Sequence, residues 1–196
     1  MTLVHITAPL DRAAARSLRA GQAVLLSGVI YTARDAAHRR MTESLAAGDR
    51  LPISLQDQVI YYVGPCPARP GQPIGSAGPT SSYRMDPYTP ALLAAGLGGM
   101  IGKGPRGAEV RDAVVRHEAI YLVALGGAGA LLARCVKRAD VVGYPDLGAE
   151  AIHRLEVEGF PLIVGLDVHG QDAYEIARRP AQAAAESTTQ DTREER

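Results

Sequence analysis

The chain has 196 residues, 46% of them hydrophobic, and carries 21 basic against 21 acidic side chains. That length supports one domain with a real core, and the balanced charge argues against a nucleic-acid or anionic-membrane surface. No apolar run reaches the ~20 residues that cross a bilayer, and the start, Met1-Thr2-Leu3-Val4-His5-Ile6, lacks a basic stretch leading into a long apolar one, so a cytoplasmic protein is expected.

Leu3 to Leu10 reads as a short strand. Asp11 is placed to cap a helix over Arg12 to Arg19, with Gly21 near its stop. The run from Ala23 to Tyr31 is apolar throughout, the pattern of a strand covered on both faces. Asp35 opens a helix through Leu45. Ala37, Met41 and Leu45 recur on one face, and Gly48 ends it. Gln58 to Gly64 is a further strand. Pro65 to Pro79 is rich in Pro and Gly without a hydrophobic period; loops beyond about 12–15 residues in a compact domain are often functional.

Asp86-Pro87 predicts a helix start, an acid at the N-cap and proline at the first position, running to about Ala95 and stopping at Gly96. Met100 to Gly104 is a short strand entering a glycine-flanked loop. A helix over Gly107 to His117, a strand over Ala119 to Leu125, a helix over Ala128 to Arg138 and a short strand at Val141-Val142-Gly143 follow. Ile152 to Val157 fits either state, and Pro161 to Val168 is a strand. The alternation gives an α/β domain with a substantial sheet, and with so few aromatic residues its core should be mostly Val, Ile, Leu and Ala. From Asp172 the composition turns to Ala, Gln, Thr and charge, so the domain is set at 1–172 and a disordered polar tail at 173–196.

Two cysteines, Cys66 and Cys135, fit reduced thiols better than a disulfide framework. They cannot supply the three or four thiolates of an iron–sulfur cluster. The five histidines show no zinc spacing, so no metal ligands are assigned to this chain.

Four blocks carry candidate chemistry. Arg34 stands where a buried strand hands over to a helix, the position where α/β sheets gather ligands. An arginine there can grip a carboxylate with two parallel bonds; equally, it can pair with Asp35 at the surface. Gly78-Pro79-Thr80-Ser81-Ser82-Tyr83-Arg84 places hydroxyls and an arginine before a helix start. That is an anion cradle or a set of turn caps. Gly102-Lys103-Gly104 lets a ligand approach the backbone, yet lacks the hydroxyl residue of a Walker loop. Gly126-Gly127-Ala128-Gly129 reads as a tight turn rather than a dinucleotide loop.

Taken in order, Ala33-Arg34-Asp35-Ala36-Ala37-His38, Gly78-Pro79-Thr80, Arg84-Met85-Asp86 and Gly102-Lys103-Gly104 resemble the C-terminal domain of class I fumarases. They resemble equally the beta subunits of two-chain fumarases and of L(+)-tartrate dehydratase. Pro161 to Val164 and Asp167 to Gly170 resemble the closing segment of that family, so the likeness spans about Leu3 to Gly170. It implies a swivelling β/β/α fold, a mixed sheet with flanking helices. It implies a [4Fe–4S] cluster held by cysteines of a partner alpha subunit, an alpha2beta2 assembly, and reversible loss of water from a C4 dicarboxylate. The implied roles are Arg34, Arg84 and Lys103 on the substrate carboxylates and Thr80 in removal of the C3 proton. His38 and Asp86 are possible supporting groups. Tyr83 and Pro105 depart from many fumarases, which bears on substrate more than on reaction type. Fumarate hydratase is the first expectation, tartrate dehydratase the second, and a non-catalytic dicarboxylate-binding module the third.

Overall fold

The computed structural model describes residues 3–178. Seven strands form one mixed sheet: β1 (Val4–Ala8), β2 (Ala23–Thr32), β3 (Val59–Tyr61), β4 (Gly99–Gly102), β5 (Ile120–Val123), β6 (Val136–Gly143) and β7 (Ile152–Leu166). The first five run parallel as neighbours. The long β7 runs antiparallel to β2 on one edge and to β5 and β6 on the other. Strands β2, β3, β4, β5 and β7 therefore close a small barrel, with β1 and β6 as outer extensions.

Helices α1 (Arg12–Ser17), α2 (Asp35–Ala47), α3 (Thr89–Ala94), α4 (Ala108–Arg116) and α5 (Gly129–Arg134) flank it. The architecture is α/β with the mixed sheet and flanking helices expected. Asp11 caps α1 by accepting from Ala14 N at 2.7 Å. Gly48 ends α2 at φ +75°, where its missing side chain avoids the left-handed clash.

Alternate residues of the central strands feed two cores. Tyr61, Ile101 and Leu122 point into one cluster, shared with Ile30, Leu155 and Val164 of the enclosing strands. Ile60, Met100 and Tyr121 point into another, packed under Met41, Leu92 and Val110 of the helices. Burial on both faces explains why these strands read as unbroken apolar runs. The largest fully buried side chains include Tyr61, Tyr62, Tyr121 and Phe160, so the core is less purely aliphatic than composition suggests. Each tyrosine is tolerated because its hydroxyl has a partner; Tyr61, for example, donates to Ala77 O at 2.5 Å.

Two local expectations fail. Asp86-Pro87 does not open a helix: Asp86 closes a 3-10 turn over Ser82–Met85, and α3 begins at Thr89. Its carboxylate is taken instead by Arg106 Nε and Gly107 N, both at 2.7 Å. Val136 to Arg138, expected as helix, is strand, because it pairs with Glu156 and Val157 of β7. Ile152 to Val157, which fitted either state, is strand and continues into the strand expected from Pro161, giving the single β7 of Ile152–Leu166. At Asp86 and at Val136 to Arg138, partners from distant chain outweigh local propensity.

Residues 173–178 of the expected tail are helical, and Tyr174 OH accepts from Gly104 N at 2.9 Å. The rest of that segment, 179–196, lies outside the described residues.

Candidate active site

Parallel β2 to β5 place their carboxyl ends at one end of the barrel, and the candidate residues lie just beyond them. Arg34 follows β2. The long loop after β3 returns so that Thr80 N donates to Tyr62 O at 2.7 Å, while Lys103 N donates to Thr80 O at 3.3 Å. Ser82 N then donates to Lys103 O at 2.9 Å. Thr80 to Ser82 thus lies as an extra strand-like segment between the ends of β3 and β4, beside Lys103. Gly102 is required for this approach: a Cβ there would stand 2.0 Å from Ser82 Oγ.

The backbone of the Lys103 loop is held from two sides. Tyr121 OH donates to Gly104 O at 2.8 Å, so its bond with Ser82 Oγ at 2.9 Å has the serine as donor. Tyr174 OH accepts from Gly104 N. The Lys103 ammonium itself makes no ion pair or hydrogen bond among the described residues. Neither does the Thr80 hydroxyl.

The arginines are joined through acids. Arg84 Nε donates to Asp35 Oδ1 at 2.9 Å. Arg34 Nε lies 3.6 Å from Asp35 Oδ2, and Arg34 Nη2 lies 3.5 Å from Glu150 Oε1. These last two are charge contacts, and Arg34 Nε is buried without a hydrogen-bond acceptor. Glu150 Oε2 instead accepts from Ala36 N at 3.0 Å, at the start of α2. Two arginines therefore share two carboxylates, and donors remain unused among the described residues on Arg34, Arg84 and Lys103. The surface-pairing alternative for Arg34 is thus partly realised, without consuming the group.

His38 is fully buried. Its Nδ1 lies 3.0 Å from Arg34 O, which can only accept, so Nδ1 carries the proton. Burial lowers its pKa to about 4, and the neutral ring packs edge-on against Tyr62, with centroids 5.1 Å apart. It steadies the Arg34 backbone. Asp86 is bound to Arg106, whose side chain has no exposure. Arg106 also donates to Thr89 Oγ1 at 2.7 Å and lies over the Tyr62 and Tyr121 rings. Asp35 and Asp86 are thus both engaged, and neither bonds to Thr80.

The structure brings Arg34 to Arg84, and Thr80 to Lys103. No described hydrogen bond or ion pair joins the two sets directly, although Arg84 follows Thr80 by one short turn. Sequence reasoning missed Glu150 and Arg106; nothing in the local sequence marks either, because their partners are distant. His169 lies apart, with its Nε2 3.3 Å from Arg16 O. The glycine block forms a turn with Gly127 at φ +80°, as expected.

The sequence matches the profile of the fumarase C-terminus family over residues 1–177. The chain belongs to that family. It is 42% identical over 153 residues to the anaerobic class I fumarate hydratase of Escherichia coli, an alignment covering 76% of this chain and 28% of that protein. It is 40% identical over 152 residues to mitochondrial fumarate hydratase 1 of Leishmania major, again 76% of this chain and 28% of the relative. It is 39% identical over 166 residues to a Methanocaldococcus jannaschii protein carrying the name L(+)-tartrate dehydratase subunit beta, covering 82% of this chain and 85% of that one. The chain spans under a third of the length of these fumarate hydratases.

The cluster chemistry implied for a fumarase-type enzyme does not fit this chain's own side chains. Cys66 is exposed, and Cys135 points its thiol at Leu131 O and Gly159 O. Among the described residues no group of three or more His, Cys, Asp or Glu side chains is arranged to hold a metal ion. Two hollows, of about 470 and 350 Å³, are lined by the Pro65–Ser76 part of the loop with α5 or β6. Neither includes Arg34, Thr80, Arg84 or Lys103. Of the three candidate cations, Arg84 is the exposed one, its side chain 43% accessible, while Arg34 and Lys103 are half-buried. No described helix is long and apolar enough to cross a membrane.

Proposed function

We propose that this chain is the carboxylate-binding subunit of a cytoplasmic two-chain hydro-lyase of the fumarate hydratase type, interconverting fumarate and L-malate. What supports this reading is that Arg34 and Arg84 meet through Asp35, that Thr80 lies beside Lys103, that both pairs follow the carboxyl ends of β2 to β4, and that donors on all three cations are unused among the described residues. In this reading the chain's cations hold the two carboxylates of a C4 dicarboxylate. As the C3 proton leaves, negative charge builds on the adjacent carboxylate, and fixed cations stabilise it. Removing one such contact typically costs ~3 kcal/mol in barrier. Thr80 is too weak an acid to serve as a base near neutral pH without an acceptor, and no acid of this chain is bonded to it. Thr80 therefore orients the substrate, or relays its proton to a group on a partner.

Two cysteines are too few for a [4Fe–4S] cluster, so in this reading, as the family resemblance implies, a partner alpha subunit carries it in an alpha2beta2 assembly. The exposed Arg84 side chain suits such docking. A second reading, tartrate dehydratase, is favoured by the extent of alignment with the M. jannaschii protein, most of whose length the chain covers. Both substrates are C4 dicarboxylates with a hydroxyl to be lost. The chain is co-expressed anaerobically with a cysteine-bearing partner and assayed on L-malate and L(+)-tartrate. Preferred turnover of malate supports the first reading. Preferred turnover of tartrate replaces it with the second, and binding without turnover of either makes the chain a dicarboxylate-binding module.

A further inference from the structure

We propose that Asp35 is the positioning residue of the carboxylate site, deciding which edge of Arg84 meets the substrate; this rests on the dicarboxylate reading above. Asp35 is bracketed by two guanidinium groups. Its Oδ1 accepts from Arg84 Nε at 2.9 Å, and its Oδ2 lies 3.6 Å from Arg34 Nε. Two cations held this close to each other repel, and the carboxylate between them offsets that repulsion.

An arginine has two edges that can take a carboxylate through parallel bonds. One is made by Nε with a neighbouring Nη, the other by the two Nη atoms. Arg84 has given its Nε to Asp35, which closes the first edge. Its Nη1 and Nη2 make no hydrogen bond or ion pair among the described residues, so the end-on edge remains for substrate.

Asp35 is itself well fixed. It is the first residue of α2, and that helix start is fastened by Glu150 accepting from Ala36 N and by the His38 ring on Arg34 O. Arg84 sits on a 3-10 turn with a half-exposed side chain. The Asp35 bond is the one contact described that orients its guanidinium. The nearby acids Asp86 and Glu150 are engaged elsewhere.

Removing Asp35 has two opposed effects. Loss of a negative charge strengthens attraction for a dianion and lowers KM. Loss of the tether lets Arg84 swing and raises it. If Asp35 positions Arg84, the second effect wins, and it acts only through Arg84.

The test is a double-mutant cycle on the co-purified two-chain enzyme, with unfolding midpoints measured alongside. Asp35→Ala should raise KM for L-malate about tenfold while kcat changes by less than about threefold. Asp35→Asn, which keeps an acceptor for Arg84 Nε, should recover most of the loss. In an Arg84→Ala background the effect of Asp35→Ala should shrink below about twofold. Asp35→Ser, too short to reach Arg84, carries the same expectation if the alanine variant does not fold. An equal rise in both backgrounds, a loss in kcat alone, or a fall in KM overturns the proposal. A wild-type enzyme that binds no C4 dicarboxylate overturns the site reading itself, a different result from an active enzyme indifferent to the Asp35–Arg84 pair.

Discussion

Arg84 reaches across 49 residues of sequence to donate its Nε to Asp35 at 2.9 Å. That bond joins the loop that follows β3 to the helix that follows β2, at the end of the barrel where Lys103 also emerges. In the proposed site a carboxylate would meet an arginine already aimed and a lysine that has no partner among the described residues.

Arg84→Lys therefore removes more than shape. A lysine keeps the charge but cannot bond Asp35 and still present a two-donor edge. We expect kcat/KM on the preferred dicarboxylate to fall about 100-fold, equivalent to ~2.7 kcal/mol, with the unfolding midpoint nearly unchanged. Steady-state kinetics with a thermal melt checks both parts.

Thr80 is held by its backbone between β3 and β4, and its hydroxyl makes no hydrogen bond among the described residues. Thr80→Ala should lower kcat about 100-fold or more with KM within about threefold, and Thr80→Ser should restore part of it. A change in KM alone would assign Thr80 to binding rather than to proton removal.

His38 gives the fold a pH dependence. Burial lowers its pKa from 6.5 to about 4, so between these values the unfolded chain binds more protons than the native one. Stability therefore rises with pH through this window and is lost as pH falls from about 6.5 toward 4. The contribution is ~3 kcal/mol when complete. Denaturant titrations from pH 7.5 to 4.5 should show this slope in the wild type, and a shallower one in His38→Asn, which keeps a donor for Arg34 O.

Asp86 and Arg106 form a pair whose arginine side chain has no exposure. Breaking such a pair from one side leaves a buried charge without its partner. Asp86→Ala should cost ~3–5 kcal/mol, read as a lowered unfolding midpoint, while Thr89→Ala, removing a neutral partner of the same arginine, should cost about 1–2 kcal/mol.

How much was legible in the sequence follows from where each residue finds its partners. The strands after Ala23, Gln58 and Ala119 were visible because burial on two faces writes an apolar run. Helix α2 was visible from Ala37, Met41 and the Gly48 stop. Asp86-Pro87 misled because the local signal is a good N-cap, while the actual partner, Arg106, lies 20 residues on. Val136 to Arg138 misled because β7 recruits it from outside. At the candidate site, glycine, proline and strand-end context singled out the segments that hold Arg34, Thr80, Arg84 and Lys103, and the resemblance to the fumarase family gave those residues their expected roles. Asp35 was visible as a neighbour of Arg34, but Glu150 was not, since it lies 114 residues from the Ala36 amide that it accepts from.

The most direct measurement is anaerobic turnover of L-malate by this chain with its cysteine-bearing partner, wild type against Lys103→Met. The proposed site predicts reversible formation of fumarate by the wild type and a loss of about 100-fold or more in kcat/KM for the variant, with subunit association intact. Turnover that survives Lys103→Met unchanged would contradict it.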